Sequence, residues 1–246
     1  MALPIIIPFY KDQVQLDKCV AAIGAQDTPS EPWIYDNNVD NRYYTKAQNL
    51  GLKRALKEGL EFAVCGTQDV YMRPDCVTQM LKFMREHPRC AFAGPKQVLA
   101  ADEDYIIHGG CTIAYPGGRH YYGRKSLGQC NVSAKMPWVN GAIIFCRMEA
   151  VIEIGLMDEG MLMIGSDSDW CYTARARNWE VWYVAEAEVI HEAGVSSKPT
   201  AAMQPIFTND MNYWRDKWIG SGLHARLFYE FAPKGTPIQQ GSFQIG

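Results

Sequence analysis

Within the first hundred residues, short β-branched runs alternate with segments of helical spacing, and that alternation leaves few architectures open. "PIIIPFY" is followed by "VQLDKCVAAIGA", where Val14, Cys19, Val20 and Ile23 recur at helical intervals. "PWIYDNN" reads as a second strand, ending in polar residues at Asp36. "TKAQNLGLKRALKEG" reads as a helix with Thr45 as cap and Gly59 as stop. "EFAVCG" is a third strand, broken by "TQDVYM"; Pro74 then opens the helix "PDCVTQMLKFMREH", and "CAFAGPKQV" is a fourth strand. Strand–helix alternation of this kind predicts an α/β fold with a mostly parallel sheet flanked by helices. Ligands of such sheets bind beyond the carboxyl ends of the strands, where "DNNVDN" and "TQD" fall.

The pattern changes after residue 100. "YIIHGGCTIAYPGGRHYYG" is rich in glycine and aromatics with β-type alternation, as in a hairpin or an excursion over the sheet. "WVNGAIIFCR" returns as a buried strand, "MEAVIEIG" as a short helix, "DSDWCYTARARNW" as a helix and "EVWYVAEAEVIHEAG" as a strand running into a loop. "NDMNYWRDKWIG" predicts an amphipathic helix whose Trp214 and Trp218 either pack on the core or form a dimer or acceptor surface. With no repeat and no linker, we expect one domain over 1–231. It divides into a first half (1–100), a second half (101–205), a helical segment (206–231) and an extended tail (232–246).

Composition removes several functions. A net charge of −3 gives no basic field for nucleic acid. No apolar run approaches the roughly 20 residues a membrane span needs. The N-terminal run lacks a basic leader and reads as a strand, so the expectation is a cytoplasmic protein. Its eight cysteines form no C-x-x-C pair and are expected to be reduced, buried thiols. G-x-S-x-G, H-E-x-x-H and G-x-x-x-x-G-K-[ST] are all missing, which disfavours serine hydrolases, zinc proteases and P-loop enzymes.

Several polar clusters each have two readings. Asp36, Asn37, Asn38 and Asp40 form either a turn or a strand-end site for a base or ribose. Asp69 is either a turn residue or a carboxylate for Mg²⁺ or Mn²⁺ on a diphosphate. His191 is a structural histidine or a ligand, and Ser196, Ser197 and Lys198 are a solvated loop or phosphate contacts. His108 and His120, in the glycine-aromatic segment, are placed to touch a sugar. Asp167 and Asp169 in "SDSDW" are either the polar start of a helix or catalytic carboxylates.

The order of these segments is more specific than any one of them. "IIIPFYKDQ", "YDNNVDN", "AQNLGLKRAL", "TQDVYMRPD", "WVNGAIIFCRMEAVIEIGLMDE" and "SDSDWCYTARARNWEVWYVAEAEVIHEAGVSS" closely resemble family 2 glycosyltransferases of the Rossmann-like GT-A fold. The likeness covers about residues 3–220 and is strongest to the nonprocessive, rhamnosyltransferase-like members. It implies a small mixed or antiparallel acceptor-side region beside the parallel sheet. It also implies an inverting sugar transfer from a UDP-, GDP- or dTDP-sugar to a hydroxyl of a glycan or other acceptor, in polysaccharide or glycan assembly. By the same resemblance Pro8, Tyr10, Asp36, Asn38, Asn49, Gln68, Ser197 and Lys198 lie on the nucleotide side, and Gly51 completes an "N-x-G" helix motif. Asp69 and His191 match the metal site, and Trp138, Asn140 and Gly141 the acceptor side, to which His108 and His120 are added from their place in the glycine-aromatic segment and not from a motif. Asp167 matches the general base, and Asp169 completes its motif.

Two departures stand out. Thr67 occupies the position of the first carboxylate of the D-x-D metal motif, and Ser166 replaces the acidic or amide residue before Asp167. The processive "Q-x-x-R-W" motif is missing, implying one addition per encounter. Residues two apart on a helix lie about 200° apart, so Asp167 and Asp169 are expected to do different work. The helix N-terminus is expected to favour ionised Asp167. A nucleotide-sugar-binding protein without turnover is the alternative reading.

Overall fold

The computed structural model describes residues 2–111, 120–193 and 200–223. Its strands are β1 (Leu3–Phe9), β2 (Ser30–Asp36), β3 (Phe62–Gly66), β4 (Val70–Met72), β5 (Cys90–Leu99), β6 (Asp102–His108), β7 (Gly123–Arg124), β8 (Ala134–Lys135), β9 (Ile143–Arg147) and β10 (Glu180–His191). The helices are α1 (Gln13–Gly24), α2 (Tyr43–Lys57), α3 (Cys76–Glu86), α4 (Met148–Ile154), α5 (Ser166–Ala176) and α6 (Gln204–Arg215), the last continued by a π-helical turn at Asp216–Gly220.

The strands form one sheet in the order β2-β1-β3-β9-β5-β10-β4, with β6 and β7 beyond β5 and β8 against β10. β1 pairs parallel with β2 and β3, and β10 parallel with β5. β9 enters antiparallel between β3 and β5, which gives the sheet more antiparallel pairs than alternation in the first half suggests. β1, β2, β3, β5 and β10 nonetheless run in one direction.

Both faces of the sheet are covered, so β1 is apolar throughout. Ile6 joins the core under α2, α4, α5 and α6, while Ile5 and Ile7 join the core under α1 and α3. Trp214 and Trp218 are buried in the first of these cores, which decides for packing over an exposed surface. All eight cysteines are free thiols, and all but Cys130 are buried.

Local signals hold at two helix ends. Asp12 caps α1 by accepting the Gln15 N–H at 3.0 Å, and Gly59 takes a φ of 67° just past α2. Thr45 is not the cap expected of it. α2 begins two residues earlier, where the Asn41 side chain accepts the Tyr43 N–H at 2.9 Å, and Thr45 lies fully buried in the first turn.

Gly51 is required by a close approach: a Cβ there would lie 2.5 Å from two methyl or methylene carbons of Ile6. Gly51→Ala is expected to separate α2 from β1 and to cost about 1–3 kcal/mol, as overpacking does. Urea unfolding measures it, and the Gly51→Ala/Ile6→Ala double variant is expected to lose less than the two single losses added together.

Candidate active site

Five strands share a direction, so their carboxyl ends meet at one edge of the sheet. β9 runs the other way and brings the Gly141–Ile143 end to the same edge. α5 starts there as well, through the Asp167–Gly141 contact described below. A depression of about 760 Å³, lined by Leu3, Pro4, Pro29 and Leu60 among others, opens at the opposite edge and holds none of the expected site residues.

On the first-half side, Pro8 is half-buried near the end of β1 and the Tyr10 ring is exposed just beyond it. Asp36, also exposed, accepts from the backbone and side-chain nitrogens of Asn38, both at 2.8 Å. Asn38 in turn accepts the Lys11 N–H at 2.8 Å, so Asn38 braces two loops. Two residues expected at the nucleotide are engaged elsewhere. Gln68 accepts the Tyr10 N–H at 2.7 Å and donates toward Asp12 O and Gln15 Oε1, tying the β3 end to the β1–α1 loop. Asn49 is buried, donates to Met157 O at 2.9 Å and Glu159 Oε1 at 3.0 Å, and accepts the Met157 N–H. Both are corrected from ligand contacts to structural clamps, because their amides are already satisfied. Ser197 and Lys198 lie outside the described residues.

Asp69 and His191 come together across the sheet edge, Asp69 Oδ2 lying 3.4 Å from His191 Nε2. The Thr67 hydroxyl donates to Asp69 Oδ1 at 2.6 Å and lies 3.2 Å from Ala142 O. Thr67 therefore orients the carboxylate and joins it to the start of β9. Burial pushes the Asp69 carboxyl up, but hydrogen bonding and charge from His191, with the Thr67 bond, bring it below its ordinary value. On the far side His191 Nδ1 meets Gln97 Oε1 at 2.9 Å. With a carbonyl oxygen there Nδ1–H donates, which fixes the ring with Nε2 facing Asp69. Gln97 was not foreseen; a polar residue beside Lys96 near the end of β5 was its only signal.

Asp167 and Asp169 sit in the first turn of α5 and point to different places. Asp167 Oδ2 accepts the Gly141 N–H and Oδ1 the Ser168 N–H, both at 2.8 Å. A Cβ on Gly141 would lie 3.1 Å from Asp167 Oδ2 and from the Tyr44 hydroxyl, which donates to Gly141 O at 2.7 Å. Glycine thus lets three groups converge. Tyr44, one of two aromatics at the start of α2, carried no sign of this role. Burial raises the Asp167 carboxyl above its ordinary value, and the two backbone N–H bonds offset this only partly. That reverses the expectation drawn from the helix N-terminus alone: desolvation wins.

Asp169 is 1% exposed and turned inward. Its Oδ1 accepts the Trp218 indole N–H at 2.7 Å and pairs with Lys217 Nζ at 2.8 Å. Burial raises its carboxyl, with Lys217 and Trp218 opposing. The Asp169 carboxylate faces the C-terminal π-helical turn and anchors it, so its contacts differ from those of Asp167.

Asn140 accepts the Ala142 N–H at 2.7 Å and has its amide nitrogen 3.4 Å from His120 Nε2, so Asn140, Gly141 and half-buried His120 do cluster near Asp167. Trp138 is 5% exposed and packs edge-on to His120, behind the site. His108 is fully buried. Both are corrected from acceptor contacts to interior residues, since neither has surface to offer. Burial lowers His108 well below, and His120 below, the ordinary histidine value, keeping both imidazoles neutral.

The architecture is that of the GT-A glycosyltransferases. No protein-family model matches the chain. Its structure is similar to that of GalNAc-T7, solved with UDP, GalNAc and Mn²⁺, with a TM-score of 0.67 and 13% identity over 98% of this chain and 53% of that one. It is also similar to the mannosyltransferase PcManGT of Pyrobaculum calidifontis, solved with GDP-Man and Mn²⁺, with a TM-score of 0.55 and 12% identity over 96% of this chain and 76% of that one. In sequence the chain is similar to the dTDP-rhamnosyl transferase RfbF of Shigella flexneri, 24% identical over 176 residues. The match covers 71% of this chain and 57% of the curated relative. The glycosyltransferase resemblance carried by the motifs, and the α/β fold it implied, are borne out. No helix among the described residues is long and apolar enough to cross a membrane.

Proposed function

We propose that the chain transfers a sugar from a nucleotide diphosphate sugar to an acceptor hydroxyl with inversion at the anomeric carbon, in glycan or polysaccharide assembly. One observation carries this reading: a backbone-aligned carboxylate, Asp167, stands on the same sheet edge as the Asp69–His191 pair. Each Asp167 oxygen accepts one N–H and retains a lone pair, and burial raises its affinity for a proton. Asp167 takes the acceptor proton as the acceptor oxygen attacks opposite the diphosphate. His120 and Asn140 border the acceptor. Asp36 and the Tyr10 ring, both exposed at strand ends, face the nucleoside.

The donor set of Asp69 and His191 fits a divalent cation. A carboxylate oxygen with an imidazole nitrogen suits Mn²⁺ better than Mg²⁺, which prefers oxygen alone, and Asp69 and His191 are the residues that would hold it. When bound, the ion offsets charge on the leaving diphosphate. Thr67, in place of a second carboxylate, thins the site by one charge and holds Asp69 in position. This thinning also favours a second reading, binding of a nucleotide sugar without turnover.

Thermal shifts with UDP, GDP, dTDP and their sugars, with and without Mn²⁺, test donor and metal together. A ligand at about 100 times its Kd adds about 2.7 kcal/mol of stability. Asp69→Asn and His191→Ala are expected to remove the Mn²⁺-dependent part of the shift. Product formed with retained configuration would overturn inversion, and binding without product would favour the second reading.

A further inference from the structure

Three soft donors meet where β6 ends. Cys111 and His120 oppose each other across an isolated antiparallel bridge, so their side chains leave on the same side. The bridge is framed by the Gly109 N–H to Tyr121 O bond at 2.8 Å and the Tyr121 N–H to Gly110 O bond at 2.9 Å. His108, the last residue of β6, places Nδ1 3.9 Å from Cys111 Sγ. One ligand atom from each of the three residues lies within 4.8 Å of the others. The two imidazoles stand edge to face, with centroids 4.7 Å apart.

His108 is 0% and Cys111 2% exposed, and His108 Nε2 has no hydrogen-bond partner. A fully buried ring nitrogen without a partner is rare in folded proteins; a metal at Nε2 would supply that partner, whereas one at Nδ1 would lie on the Cys111 side of the ring. Neutral imidazoles have lone pairs ready for a metal, whereas the buried Cys111 thiol must release its proton on binding.

We propose that His108, Cys111 and His120 form a zinc-type metal site separate from the Asp69–His191 pair. Two imidazole nitrogens and a thiolate select Zn²⁺ or Co²⁺ over Mn²⁺ or Mg²⁺. Tetrahedral bonds of about 2.0–2.3 Å set neighbouring ligand atoms roughly 3.3–3.7 Å apart, so binding draws the three donors slightly inward. Three protein ligands leave a fourth position for water or a substrate oxygen. The ion ties β6 to the chain returning at His120, beside Asn140.

The test strips the full chain with a chelator and titrates it with Co²⁺ alone. One equivalent is expected to bind with a sulfur-to-cobalt charge-transfer band in the near ultraviolet and intense tetrahedral d–d bands. Cys111→Ser is expected to lose the charge-transfer band, and half-buried His120→Ala to weaken binding at least tenfold. The double variant Asp69→Asn/His191→Ala is expected to keep both spectra. A wild-type chain lacking the charge-transfer band would overturn the site, as would an unchanged band in Cys111→Ser. If Cys111→Ser does not fold, tight Co²⁺ binding retained by His120→Ala overturns it equally.

Discussion

Asp167→Asn is expected to lower the rate of sugar transfer by about 10²–10⁴-fold, the range of a positioned general base. Donor binding is expected to persist, because Asp69 and His191 remain in place. The two amide nitrogens that point at Asp167 make the substitution informative: Gly141 N–H meets Oδ2 and Ser168 N–H meets Oδ1. An asparagine accepts only one of them well, so a modest loss of stability accompanies the loss of rate. Initial rates with a radiolabelled donor, beside far-UV dichroism, separate the two effects. The wild-type pH profile carries the same signature. The base works ionised, and burial raises its carboxyl, so kcat/KM is expected to fall with decreasing pH through a value above the ordinary aspartate pKa of about 3.9. Full activity in Asp167→Asn would remove the residue from the chemistry.

Lys217→Met is expected to destabilise the fold by about 3–5 kcal/mol at neutral pH, the cost of leaving a buried carboxylate without its cation. Asp169's side chain is 2% exposed, and Lys217 Nζ lies 2.8 Å from it and 2.8 Å from Asp158 Oδ2. Burial raises the Asp169 carboxyl even with the lysine present, so in the variant the rise is larger. An acid whose folded pKa is raised stabilises the fold below its unfolded pKa and loses that contribution as pH rises through the folded value. The loss in Lys217→Met is therefore expected to shrink as pH is lowered toward the unfolded aspartate value. Adding Asp169→Asn, which keeps an acceptor for the Trp218 indole, is expected to restore part of it. Chemical denaturation at two pH values measures all three variants. A loss that does not change with pH would place the cost in side-chain packing instead of charge.

The strand ends were legible because each element carries its own signal. β2 and β3 run into polar residues at predictable places, where Asp36 and Asp69 lie, and Asp167 was marked by the polar start of α5. What escaped was direction. Asn49 and Gln68 have the chemistry of nucleotide contacts, yet the 157–159 segment and the Tyr10–Gln15 loop already use their amides. No local pattern states that a side chain turns inward. His108 escaped for a related reason: a histidine in a glycine-rich stretch reads as exposed until β6 is paired with β5, where it lies opposite Gln97. Gln97 and Tyr44 act on residues 94 and 97 positions away, separations at which a single chain leaves no trace.

The bond from the Gly141 amide to Asp167 has a wider consequence. The Asp167 carboxylate is indexed to main-chain amides at the mouth of β9 and at its own helix start, with the Tyr44 hydroxyl bracing the Gly141 carbonyl. Side chains around the acceptor that neither brace Gly141 nor belong to the His108–Cys111–His120 cluster are thereby open to exchange without moving the base. A library varied at those positions samples acceptor choice on an unaltered reaction centre, which makes this edge of the sheet a natural place to redirect the chain toward new hydroxyls.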